Sequence, residues 1–88
     1  MRPPEYAELD AYRLEKHWTW KQLAAAMRDA DCPLSGRTLY HLLRRAHVDE
    51  RPLDRTIYNI RKFLAHVRAT DGAALERAGA LMGVDAHA

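Results

Sequence analysis

Long apolar runs are missing from this 88-residue sequence. The longest, Leu23 to Met27, falls far short of the ~20 residues a membrane-spanning helix needs. No charged, then apolar, then small-residue pattern opens the chain, so no secretory signal is expected. The single cysteine, Cys32, excludes an internal disulfide framework and makes a cytoplasmic protein the simple reading. Catalytic constellations are lacking as well. No Ser-His-Asp, Cys-His or paired-carboxylate arrangement is discernible, and the four glycines form no phosphate-cradling loop, so neither an enzyme nor a cofactor is expected. His17, His41, His47, His66 and Cys32 are ligand types. No pair of them has zinc-finger or i, i+4 spacing, which argues for solvated or capping histidines and against a metal site.

What is present fits one small globular domain: 48% hydrophobic and 30% charged residues, with no internal repeat or low-complexity tract. The formal net charge of +2 is unevenly spread. Residues 1–36 hold 5 Lys/Arg against 6 Asp/Glu (net −1), residues 37–68 hold 8 against 3 (net +5), and residues 69–88 hold 1 against 3 (net −2). A basic excess on one stretch is the footprint expected of a polyanion partner; the bland alternative is a solvated face that binds nothing.

Helix signals recur along the chain. Pro4 suits a first helical position, and Glu5 and Glu8 follow where the helix dipole favours negative charge. Tyr6, Leu9 and Tyr12 or Arg13 make a modest stripe reaching about Lys16, and His17 ends it. Thr19 and Gln22 stand in capping-box relation, with Trp18 and Leu23 placed as a hydrophobic staple, so a second helix is expected from about Trp20 to Asp29. Its inward side is Leu23, Ala24 and Met27; Lys21, Ala25 and Arg28 point outward. Asp29 to Pro33 reads as a connector. Ser35 then caps a third helix from about Gly36 to His47, with Leu34 and Leu39 as its staple and Leu39, Leu42, Leu43 and Ala46 as its buried stripe. Val48 to Leu53 reads as a loop. A fourth helix, capped by Asp54, carries Ile57, Ile60, Leu64 and Val67 with Phe63 flanking. After Thr70-Asp71-Gly72 a fifth is expected over residues 73–82, with Leu75, Ala78, Leu81 and Met82 on a side that packs back on the first helix or pairs with a second copy.

Two firmly bounded helices around a short polar connector point to a helix-turn-helix inside an all-α bundle of about five helices. A helix that enters the DNA major groove needs an uncrowded start and long donors behind it. Gly36 fits the first need. Arg37, Tyr40, His41 and Arg44, at i, i+3, i+4 and i+7, form one face. Arg37 can clamp a guanine edge, Tyr40 and His41 can reach bases or phosphates, and Arg44 and Arg45 suit phosphates. Trp20 can lie against sugar-phosphate or a partner chain, and the amides from Thr19 to Lys21 offer a second phosphate site.

The segment from Leu9 to Leu64 resembles the lambda-repressor/Cro-like helix-turn-helix family. Thr19 followed by Gln22-Leu23-Ala24 looks like the family's second helix. Ser35-x-x-Thr38-Leu39 looks like the start of its recognition helix, and Arg51-Pro52 with Ile57, Ile60 and Leu64 like its fourth. The connector is about five residues longer than the family's short turn and lacks its usual glycine, giving a helix-turn-helix with a lengthened turn. Arg13 fits an arginine that the family often pairs with a glutamate late in the third helix, but Leu43 stands at the matching place. Beside the candidates read from the residues themselves, which are Tyr40 for bases and Lys21, Ser35, Thr38, Arg44 and Arg45 for the backbone, the resemblance implies base contacts from Gly36, Arg37 and His41 and backbone contacts from Thr19 and Trp20. It further implies a DNA-binding domain over residues 1–70, a C-terminal helix or tail over residues 71–88 that can dimerise, and a homodimer on an inverted-repeat operator, with no membrane partner and no small-molecule effector evident. The role expected is a small repressor from a phage, plasmid or other mobile element. The alternatives are an antitoxin-type autorepressor and a helix-turn-helix adaptor that holds a protein partner.

Overall fold

Every regular element that the computed structural model describes, over residues 4–45 and 54–81, is helical. The first helix, α1 (Pro4–Glu15), opens on the proline, whose missing amide would have had no partner in a first turn anyway. It closes in a Schellman motif: the Trp18 amide donates to the Arg13 carbonyl and the His17 amide to that of Leu14, with His17 at φ 57°. Next, α2 (Trp20–Asp29) starts on a complete capping box. Thr19 Oγ1 accepts from the Gln22 amide at 3.1 Å, and Gln22 Oε1 accepts from the Thr19 amide at 2.8 Å. It ends as α1 does. The Cys32 amide donates to the Met27 carbonyl and the Asp31 amide to that of Arg28, with Asp31 at φ 63°. Asp31 therefore supplies the left-handed residue for which a glycine is usual.

Ser35 caps α3 (Gly36–Tyr40), its Oγ accepting from the Thr38 amide at 3.1 Å. The chain then widens into a π-helical turn, His41–Arg45, in place of an α-helix to His47. Ala46, His47 and the expected loop Val48 to Leu53 lie outside the described residues. The last element, α4, runs from Asp54 to Leu81, so the described part has four helices where about five were expected. The break expected at Thr70-Asp71-Gly72 is present only as a kink at Asp71 (φ −149°, ψ 40°). The two arms share one buried side, Ile60, Phe63, Leu64 and Val67 before the kink and Ala74, Leu75 and Ala78 after it. The stripe that could have paired with a second copy thus lies in this chain's own core. The Leu81 side chain and residues 82–88 lie outside the description.

Tyr6, Leu9, Ala11, Tyr12, Leu23, Met27, Cys32, Leu39 and Leu43 join those residues in a single buried cluster. Phe63, expected at the flank, is only 2% exposed. Tyr12 meets Trp18 and Phe63 edge-on, at 5.6 and 6.3 Å between ring centroids, a geometry that aromatic quadrupoles favour. Cys32 is fully buried and acts as a small apolar filler; burial pushes its thiol pKa up.

A polar ladder seals the edge between α1 and α4. Arg61 pairs with Glu5, Arg68 with Glu8 at 2.7 Å, and Arg77 with Glu15 at 2.7 Å. At the kink the Asp71 carboxylate accepts from Tyr12 Oη at 2.8 Å and from Lys16 Nζ at 3.1 Å. Because the partners rise together along both helices, α4 runs beside α1 in the same sense. No helix among the described residues is long and apolar enough to cross a membrane.

Candidate nucleic-acid interface

The starts of α2 and α3 touch, and the residue that lets them is Gly36. A β-carbon there would stand 3.2 Å from the Trp20 carbonyl oxygen and 3.5 Å from the Lys21 amide nitrogen. The missing side chain was expected to clear space for a ligand. In the structure it clears space for α2. With the two first turns in contact, Thr19, Lys21, Ser35, Arg37 and Thr38 are all exposed near one end of the pair. The Ser35 and Thr38 hydroxyls bond each other at 2.8 Å as part of the cap.

Trp20 is not a free surface ring. The Arg13 guanidinium lies 3.9 Å from its centroid, Tyr40 meets it edge-on at 5.6 Å, and Arg44 lies 5.9 Å away. Arg13 is itself 9% exposed and held on two sides: Nη1 donates to the Trp18 carbonyl at 2.8 Å and Nε to Asp10 Oδ1 at 3.2 Å. Asp10 also takes Arg44, at 3.2 Å. An ion pair not anticipated from the sequence therefore links α1 to the turn that follows α3. The acid, Asp10, is on α1 and the base, Arg44, on the π-helical turn. A desolvated cation over an indole contributes about 0.5–2 kcal/mol, so this stack fixes how α3 sits on α1 and α2.

Four of the eight cations in residues 37–68 are answered within the fold. Arg61 and Arg68 face α1 acids, Arg44 faces Asp10, and Lys62 reaches both Asp31 Oδ2 at 3.6 Å and the Asp31 carbonyl at 2.9 Å. Among the described residues Lys21, Arg28, Arg37 and Arg55 have no acidic partner, and the first three belong to α2 and α3. The Arg45 side chain lies outside the description, as does Arg51.

An open groove of about 450 Å³ runs between α2 and the connector, with Lys21 and Arg28 on its rim and Ala24, Ala25, Pro33 and Leu34 along it. Its far wall is tied to α4: Asn59 Nδ2 donates to the Pro33 carbonyl at 3.3 Å, and Lys62 holds Asp31. Sequence reasoning missed Asp10, Asn59 and Lys62 in these roles. The Asp10/Arg13 spacing of i, i+3 is readable as a helix pair, but nothing local connects Asp10 to Arg44 or Asn59 to Pro33. Among the described residues no three of His, Cys, Asp and Glu are grouped to hold a metal ion. Comparisons of the chain with protein-family models, curated proteins and solved structures give no match.

Proposed function

We propose that this chain is a duplex-DNA-binding regulator in which α2, the connector and α3 act as a helix-turn-helix with a lengthened turn. One observation supports the reading above the others: the first turns of α2 and α3 abut at Gly36, and the cations there, Lys21 and Arg37, have no acid to neutralise them. In this reading α3 lies in the major groove, with Arg37 forking onto a guanine edge and Tyr40 and His41 beside it. Lys21, Ser35, Thr38 and the first amides of α2 face the phosphates. Trp20 positions the pair of helices from behind. Arg44 must leave Asp10 to reach a phosphate, so it contributes less than its sequence position suggests. A second copy on an inverted repeat would double the surface, since single modules of this size bury little DNA.

The test is selection of bound duplexes from a random pool near physiological salt, with the 88-residue chain and with Arg37→Ala. The parent should enrich a motif, and an inverted repeat within it would report a two-fold dimer. Arg37→Ala should lose about 1–3 kcal/mol on the selected site and relax one base position. Absence of any enriched motif, or equal selection by both proteins, defeats the proposal.

A further inference from the structure

We propose that the groove between α2 and the connector binds a short acidic peptide segment of a partner protein, with one apolar side chain between two carboxylates. The groove shares Lys21 and Ser35 with the surface given to DNA above, but the peptide proposal does not rest on that reading. Three observations meet there. Pairing with an acid is the rule among the described cations: Arg13, Lys16, Arg44, Arg61, Lys62, Arg68 and Arg77 each face one, whereas Lys21 and Arg28 on this rim do not. The lining between the two cations includes Ala24, Ala25, Pro33 and Leu34, which suits a small apolar side chain. The far wall is preformed, because Asn59 and Lys62 pin the connector to α4, and a site that needs no ordering loses less affinity on binding.

Spacing sets the ligand's pattern. Lys21 and Arg28 are seven residues apart on α2, about 10.5 Å along the axis at roughly 1.5 Å per residue. In an extended segment, side chains i, i+2 and i+4 share a face and span about 13 Å, within reach of two flexible basic stems. The pattern is acidic-x-apolar-x-acidic, with the central side chain over Ala24, Ala25 and Leu34.

The experiment uses the full chain labelled with ¹⁵N and the blocked pentapeptide Glu-Ser-Leu-Ser-Glu, read by amide chemical shifts. Saturable shifts should centre on Ala24, Ala25, Leu34 and Gly36. Lys21→Glu and Arg28→Glu, both at exposed positions, should each weaken binding about fivefold while circular dichroism stays unchanged. A peptide with serine for the central leucine should also bind about fivefold more weakly. Two results overturn the proposal: no saturable shift at millimolar peptide, or equal binding of the serine peptide. Failure of the DNA reading would leave the peptide shifts intact, so the two proposals fail separately.

Discussion

Gly36 and Gly72 should answer the same substitution with opposite signs. Gly72 lies in α4, and a β-carbon there meets nothing within 4 Å. Gly72→Ala therefore keeps the helical gain of alanine over glycine, about 0.5–1 kcal/mol. At Gly36 the same gain is opposed by a contact at 3.2 Å with the Trp20 carbonyl oxygen and at 3.3 Å with its carbon, both backbone atoms. Relief requires Trp20 to shift by a few tenths of an ångström. It is held from both sides, by the Thr19–Gln22 capping box before it and by Arg13 over its ring. Overpacking against groups that cannot yield costs about 1–3 kcal/mol, which exceeds the helical gain.

Gly36→Ala should thus destabilise the free protein by about 1 kcal/mol, lowering Tm by about 4–8 °C for a domain of this size, while Gly72→Ala raises it. Thermal and urea unfolding followed by far-ultraviolet circular dichroism, without DNA, would read both. If Gly36→Ala is as stable as the parent or more so, the packing role assigned to Gly36 is wrong, and its lack of a side chain must serve a ligand instead.

His17→Gly should stabilise by about 0.5–1 kcal/mol, because His17 holds φ 57° at the end of α1 and glycine occupies that region without a β-carbon clash; urea midpoints would show it, and a loss would mean that the imidazole makes a contact worth more than the strain. Stability should also fall in acid. Hydrogen bonds from Tyr12 and Lys16 hold the Asp71 carboxyl below its usual pKa. At Glu5 burial pushes the pKa up, but the Arg61 hydrogen bond and nearby positive charge outweigh it, so that carboxyl also titrates below its usual range. Groups with a lowered folded pKa contribute fully above the unfolded value of about 4 and lose that contribution as pH falls through the folded one. Urea midpoints from about pH 7 to about pH 3 should drop, and less so in Asp71→Asn; an equal drop in that variant would remove Asp71 from the account.

The helix starts are legible because capping is local. Thr19 with Gln22, and Ser35 with Thr38, lie three residues apart, and the structure places each bond where the spacing predicts it. The apolar side of α4 is legible from its period. The sequence overstates the kink: Asp71 and Gly72 interrupt the pattern, but Ala74, Leu75 and Ala78 return to the same core, and Tyr12 and Lys16 hold the carboxylate at the bend. At the candidate site, exposure of Arg37 and Lys21 is legible. The Arg13–Trp20–Tyr40 stack is not, because its members come from three elements and no short-range pattern joins them. Gly36 stands out in the sequence for its missing side chain, yet only the folded contact shows that α2 is the neighbour using the space.

Charge is where sequence and structure differ most in meaning. Part of the charge contrast between residues 1–36 and 37–68 is an intramolecular ladder, Glu5 with Arg61 and Glu8 with Arg68. If DNA binds through α2 and α3, these ladder arginines release no counterions. Removing one phosphate-contacting cation lowers the slope of log affinity against log salt by about one. Arg37→Ala should show that change, whereas Arg61→Ala and Arg68→Ala should leave the slope alone and cost at most about 1 kcal/mol of folding stability, as exposed ion pairs do. Affinities of the three variants and the parent, measured on one duplex across a salt series, would decide the matter. A slope reduced by Arg61→Ala would mean that the ladder opens toward phosphate, and that the basic stretch acts as the single polyanion footprint its composition suggests.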